Sequence, residues 1–247
     1  MSGIGGCNQD TTVSAEGTDQ SVRGEATDQA GNTAFVAVAG INIDKTAPAT
    51  TDDAPAGWVN KDVNVTLTAS DSGSGIVGTY YTVDGGAQQQ GTSIAITAEG
   101  THSISYWSVD RAGNVETPHT ATVQIDKTAP SLRVVMDKTA LWPPNHQMIT
   151  VSASVYADDS LSGIGSVVLT SITSNEPDSG LGEGDLPNDV QGAEIGAADT
   201  QFMLRAERAG NGGGRIYTIT YTVIDRAGNK TDAVTTVTVP HSQSMIR

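Results

Sequence analysis

The chain has 247 residues, a length that allows one large domain or two to three small ones. Aromatic residues make up 4% and phenylalanine totals two, so several thin-cored modules fit better than one large sandwich. Thirteen lysines and arginines against 28 aspartates and glutamates leave a net charge of −15, which excludes a nucleic-acid footprint, disfavours anionic membrane surfaces and makes cations the natural counterions.

In chain order, Met1-Ser2-Gly3-Ile4-Gly5-Gly6 does not read as a signal peptide, so an export signal is expected outside these residues. The lone Cys7 excludes an internal disulfide framework and a cysteine-rich metal site. Three markers then recur in order. Ser-Gly-Ile stands at residues 2–4, 74–76 and 162–164, and Asp28-Gln29-Ala30-Gly31-Asn32 returns as Asp110–Asn114 and Asp225–Asn229. Ile43-Asp44-Lys45-Thr46-Ala47-Pro48 returns as Ile125–Pro130, and 82 residues separate both Asp28 from Asp110 and Ile43 from Ile125. This is a tandem array.

The first unit, residues 1–48, has room for about three strands, roughly half of a sandwich. Its open edge predicts self-association, extension of a neighbouring sheet, or mobility. In the second unit, residues 49–130, Val63–Ala69 alternates with period two. Tyr80-Tyr81-Thr82-Val83 meets the turn signal Asp84-Gly85-Gly86, and Ile94–Thr97, His102–Val109 and Thr120–Ile125 complete the strands. The third unit, residues 131–247, carries an insert at about 175–200 with seven acids, and no lysine or arginine lies between Lys138 and Arg205. That composition predicts a long exposed loop rather than core. Pro48 and Pro130 mark the boundaries. The fold class expected is all-β: tandem antiparallel immunoglobulin-like sandwiches, the first incomplete.

At these motifs the sequence resembles the bacterial immunoglobulin-like (Big-type) tandem repeats of secreted and cell-surface modular proteins. Ser-Gly-Ile, Tyr81-Thr82-Val83-Asp84-Gly85-Gly86, Glu99-Gly100-Thr101-His102, Asp110–Asn114 and Asp126–Pro130 carry the likeness in residues 51–130. Residues 131–247 are similar to a related module recognised by Leu141-Trp142-Pro143-Pro144-Asn145-His146, Thr173-Ser174-Asn175-Glu176-Pro177 and Arg205-Ala206-Glu207-Arg208. The resemblance implies an extracellular location, neighbouring immunoglobulin-like domains as partners, and a structural or adhesive role.

Chemistry is sparse. His102, His119, His146 and His241 stand in no nucleophile setting, and zinc spacing is absent. Gly210–Arg215 leads into a strand, where a phosphate cradle needs a helix. Paired carboxylates could hydrolyse a glycosidic bond, with Glu176, Asp178, Glu183 and Glu207 as the candidates, against a solvated acidic loop. Trp58, Trp107 and Trp142 are candidates for a glycan platform, although Trp107 is expected in a sandwich core. Calcium is the cofactor that the charge suggests. Asp44, Asp71, Asp110 and Asn114 should gather at one junction, and Asp126, Asp158, Asp159, Asp225 and Asn229 at the next, offering hard oxygen ligands. The leading function is a non-catalytic spacer; the alternatives are a polysaccharide hydrolase or a glycan-binding module.

Overall fold

The computed structural model describes residues 2–179, 184–210 and 213–242. Every regular element among them is a strand. In the first repeat β1 (Ile4–Cys7), β2 (Gly17–Asp28) and β3 (Thr33–Ile43) form one antiparallel sheet in that order. The second repeat contributes β4 (Ala49–Asp52), β5 (Trp58–Val59), β6 (Val63–Ser70), β7 (Ile76–Val83), β8 (Gln89–Gln90), β9 (Ser93–Ile96), β10 (Gly100–Asp110) and β11 (His119–Ile125). They make two sheets, β4-β6-β9 and β5-β11-β10-β7-β8. The third repeat contributes β12 (Ser131–Met136), β13 (Met148–Asp158), β14 (Ile164–Ser174), β15 (Val190–Gln191), β16 (Gln201–Arg205), β17 (Gly214–Asp225) and β18 (Lys230–Pro240). Its sheets are β12-β13-β16-β15 and β14-β17-β18. The chain packs as two compact units: residues 1–56, 62–96 and 101–123 in one, 57–61, 97–100 and 124–247 in the other.

Alternation decides what each strand buries. In β6, Val65 and Leu67 are buried while Asn64, Thr66 and Thr68 are exposed. They meet Ile94 and Ile96 of β9 and the inward row Ile104, Tyr106 and Ser108 of β10, giving a sandwich core within the first compact unit. Its hairpin turns at Asp84 (φ 52°) and Gly85 (φ 69°), both left-handed as a type I′ turn requires, and Gly86 N–H donates to Val83 C=O at 2.9 Å. The other unit has a larger core of Leu141, Val151, Leu169, Phe202, Leu204, Tyr217, Ile219, Tyr221, Val237 and Val239 with their neighbours.

Two expectations need correction. Trp107 is not core: the phase of β10 turns Tyr106 and Ser108 inward, and Trp107 lies half-buried on the other face, stacked on Tyr80 with centroids 6.2 Å apart. The acidic insert is not wholly solvated. Asp189 is only 2% exposed, because arginines from β16 and β17 reach it.

Candidate functional site

Three turns of one sequence fold alike. Asp28 Oδ1 accepts the amides of Ala30 and Asn32 at 2.8 Å, and its Oδ2 accepts Asn32 Nδ2 at 2.9 Å. Asp110 holds Asn114 through N at 2.8 Å and Nδ2 at 2.7 Å, and Asp225 holds Asn229 at the same distances. In every copy the residue after the aspartate donates its amide to the glycine of Ser-Gly-Ile: Gln29 to Gly3, Arg111 to Gly75, Arg226 to Gly163. The Asn32 side chain and amide, with the Ser2 hydroxyl, hold Asp28 down to about 2.

In the second and third copies two further carboxylates join the turn. Asp71 Oδ2 accepts Gly73 and Gly75 N–H at 3.1 and 2.6 Å; Asp159 Oδ1 accepts Leu161 and Gly163 N–H at 3.2 and 2.6 Å. Asp44 accepts Thr46 N–H at 3.1 Å and Ser74 N–H at 2.6 Å, and the Ser74 contacts keep it below the usual carboxylate range. Asp126 likewise accepts Thr128 and Ser162 N–H, both at 3.0 Å. Asp44, Asp71 and Asp110 thereby bring one oxygen each within 4.8 Å of the others, as do Asp126, Asp159 and Asp225. Asp110, Asp126 and Asp225 are 3% exposed or less. Among the described residues no lysine or arginine forms an ion pair with any of the six. Asp71 Oδ1 is buried without a hydrogen-bond partner, which suits an acceptor held for a hard cation. Asp44 and Ser74 also line a cavity of about 400 Å³ with Glu16, Thr18, Asn42 and Arg111.

The asparagines use their amide nitrogens in the same way at both junctions. Asn114 Nδ2 faces the carbonyls of Asp44 (3.2 Å) and Thr46 (3.4 Å) as well as Asp110 Oδ2. Asn229 Nδ2 faces those of Asp126 (2.9 Å) and Thr128 (3.2 Å) as well as Asp225 Oδ2. Three acceptors around one nitrogen fix the amide orientation, so each asparagine ties its turn to the segment arriving from the preceding repeat through Nδ2. Asp158 is outside its cluster. It is exposed at the end of β13, where its backbone carbonyl accepts the Ser131 hydroxyl at 3.2 Å, and its carboxylate is not one of the three that converge.

A second constellation lies in the third repeat, and the sequence reading missed it. Arg215, fully buried on β17, contacts Asp189 through Nη1, Glu176 Oε2 at 3.4 Å and Glu207 Oε1 at 4.0 Å, and donates to Pro177 C=O at 3.2 Å. Arg205 donates to Asp189 Oδ1 at 3.1 Å and to the carbonyls of His146, Pro187 and Asn188. His146 Nδ1 meets Glu207 Oε2 at 2.7 Å. Burial and the neighbouring Asp185 carboxyl raise the Glu207 pKa, and His146 opposes the shift. Of the carboxylates considered for hydrolysis, Glu176 and Glu207 belong to this arginine network, and Asp178 caps the amides of Asn188 and Asp189 at 2.9 and 2.7 Å. Glu183 lies outside the described residues. The three motifs of this module meet here, so their joint presence was the available signal.

No protein-family model matches the chain, and no curated protein does. Among solved structures, the fibronectin(III)-like modules of Clostridium thermocellum CbhA are similar at 15% identity, over 78% of this chain and 94% of that one, with a TM-score of 0.40. The protocadherin GammaB4 extracellular domain is similar at 18% identity, over 90% of this chain and 38% of that one, with a TM-score of 0.41. The D00-D0 domain of intimin is similar at 12% identity, over 77% and 98%, with a TM-score of 0.32.

Proposed function

We propose that the chain is a non-catalytic spacer of Big-type immunoglobulin-like repeats from an exported bacterial protein. Its repeats are residues 1–48, 49–130 and 131–247, and calcium holds the segments that lead from one repeat into the next. The observation that carries this reading is the duplicated carboxylate trio. In each copy the Asp-Lys-Thr-Ala-Pro segment, the Ser-Gly loop and the Asp-x-Ala-Gly-Asn turn supply one aspartate apiece. An array that needed only hairpin turns would not require the first two to converge. Calcium would supply the positive charge and take the carboxylate oxygens as ligands. Calorimetric titration of the metal-free protein should show two binding events and a raised melting temperature. No heat at millimolar calcium would end the calcium reading.

Binding to glycan is the second reading, favoured by the stacked Tyr80–Trp107 pair on the outward face of β7 and β10. Tryptophan fluorescence during titration with soluble polysaccharides tests it. A hydrolase is less well supported, because Glu176 and Glu207 are engaged by Arg215 and His146. Screening the purified chain against polysaccharides checks that directly.

A further inference from the structure

Ala15-Glu16-Gly17-Thr18 returns as Ala98-Glu99-Gly100-Thr101, and the glycine opens a long strand both times, β2 and β10. In both copies the glutamate holds the Asp-Lys-Thr segment that leaves its own repeat. Thr46 Oγ1 donates to Glu16 Oε1 at 2.7 Å, and Thr128 Oγ1 donates to Glu99 Oε1 at 3.1 Å. The lysine reaches the residue two before the glutamate. Lys45 Nζ donates to Ser14 C=O at 2.5 Å, and Lys127 Nζ donates to Thr97 C=O at 2.7 Å. At Glu99 the backbone joins in, with Lys127 N–H donating to Oε1 at 2.5 Å.

The peptide between Asp126 and Lys127 is therefore gripped at both ends. Its carbonyl accepts Asn229 Nδ2 at 2.9 Å, and its N–H is held by Glu99. A trans peptide points these two groups in opposite directions, so the two side chains hold it from opposite sides. The preceding N–H, that of Asp126 itself, donates to Val59 C=O at 2.9 Å. With both flanking peptides tied, the backbone of Asp126 is fixed, and so is the direction in which its fully buried carboxylate leaves the chain.

We propose that Glu99 is a positioning residue for the trio of Asp126, Asp159 and Asp225. It touches none of the three carboxylates; it sets the peptide from which Asp126 reaches them. Glu99 is exposed, and an exposed carboxylate that served only solubility would have no reason to take the same two partners in two repeats. A group that orients a ligand from behind governs how well the ligand is placed.

Amide exchange in metal-free buffer reads this positioning. Ser162 N–H donates to Asp126 Oδ2, whereas Gly163 N–H, next in the same loop, donates to Asp159 Oδ1. Glu99→Ala should speed exchange at Ser162 about tenfold, the worth of one hydrogen bond to a charged acceptor, and leave Gly163 unchanged. A general loosening of the repeat would move both. Glu99→Gln keeps one oxygen for Lys127 N–H and Thr128 Oγ1 and should restore the wild-type pattern. The consequence for metal rests on the calcium reading and has its own readout. Calorimetry should show one of the two calcium events weakened about tenfold in Glu99→Ala and the other unchanged. A wild-type protein that takes no calcium would remove that reading and leave the exchange comparison to decide the positioning role. Three results would overturn the proposal: Ser162 changing no more than Gly163 in Glu99→Ala, Glu99→Gln loosening as Glu99→Ala does, or two calcium events of wild-type strength in Glu99→Ala.

Discussion

The two ends of β17 bury acids in opposite ways. Arg215, Tyr217, Ile219, Tyr221, Val223 and Asp225 all point inward from one strand, and the first and last of them are about 33 Å apart along it. At the Arg215 end, Asp189, Glu176 and Glu207 are met by the two buried guanidinium groups of Arg205 and Arg215, so most of the charge is countered inside the fold. At the Asp225 end, three carboxylates converge with amide and asparagine donors, and among the described residues no arginine or lysine forms an ion pair with them. A buried acid needs a countercharge. The first end carries its own; under the proposed function the second end takes one from solution as calcium.

The largest effect should come from breaking the balanced end. Arg215→Met removes a buried cation of similar length and leaves Asp189 and Glu207 short of partners. A broken buried pair costs about 3–5 kcal/mol. Chemical denaturation should show that loss in the third repeat. Because the two ends are far apart, the calcium-induced gain should be unchanged in this variant. A calcium response that disappears with Arg215 would mean that the ends are one site.

The unbalanced end should answer to calcium. At a calcium concentration a hundred times the dissociation constant, binding to the native state alone adds about 2.7 kcal/mol. Asp71→Asn sharpens the test in the second repeat. The amide oxygen can keep the Gly73 and Gly75 hydrogen bonds, while the new NH2 takes the place of the unpartnered Oδ1 among carboxylates. The variant should therefore be as stable as wild type or more so without metal, and less stable than wild type with calcium. Equal calcium gains in both proteins, read from thermal melts, would remove Asp71 from any metal site.

The sequence makes one end far more legible than the other. Asp71 and Asp110 stand in turns whose conformation is set within five residues by glycine and asparagine, and Asp44 opens the repeated Asp-Lys-Thr-Ala-Pro segment, so repetition alone brings them into view. Strand phase is harder. Asp158 and Asp159 are adjacent, and only the match of Asp159-Ser160-Leu161-Ser162-Gly163 to Asp71-Ser72-Gly73-Ser74-Gly75 separates them. The same ambiguity affects Tyr106 and Trp107, where inward Ser108 bonds buried Thr50 and Thr79 and so fixes the phase. The arginine network was hidden because its pairs are long-range: Asp189 and Arg215 are 26 residues apart, beyond any local count of charge. The sheets themselves follow the alternation closely, since period two needs no distant information.

Asn229 is the next test of the same contrast. Its Nδ2 bonds one carboxylate and two carbonyls, so Asn229→Ala should cost about 1–2 kcal/mol. Asn229→Asp sets a fourth carboxylate against Asp225 and should be less stable than the alanine variant in metal-free buffer. If the asparagine were instead an oxygen ligand, the aspartate variant would bind calcium more tightly at no such cost. Denaturation with and without calcium distinguishes the two.

The smallest effect belongs to the first turn, where Asp28 has the same asparagine clasp without the two extra acids seen at Asp110 and Asp225. Its carboxyl is depressed from 3.8 to about 2, chiefly by the Asn32 side chain and amide. A depressed folded pKa means that the ionised form is favoured by the fold. The contribution is therefore complete above the unfolded value near 3.8 and is lost as pH falls through about 2. Carbon-detected titration of the side chain should show Asp28 ionised at pH 3. In Asn32→Ala its midpoint should return toward 3.8, with little change in global stability because the turn is exposed. A wild-type midpoint near 3.8 would show that the clasp does not hold in the first copy, and would tie its persistence elsewhere to the surrounding acids.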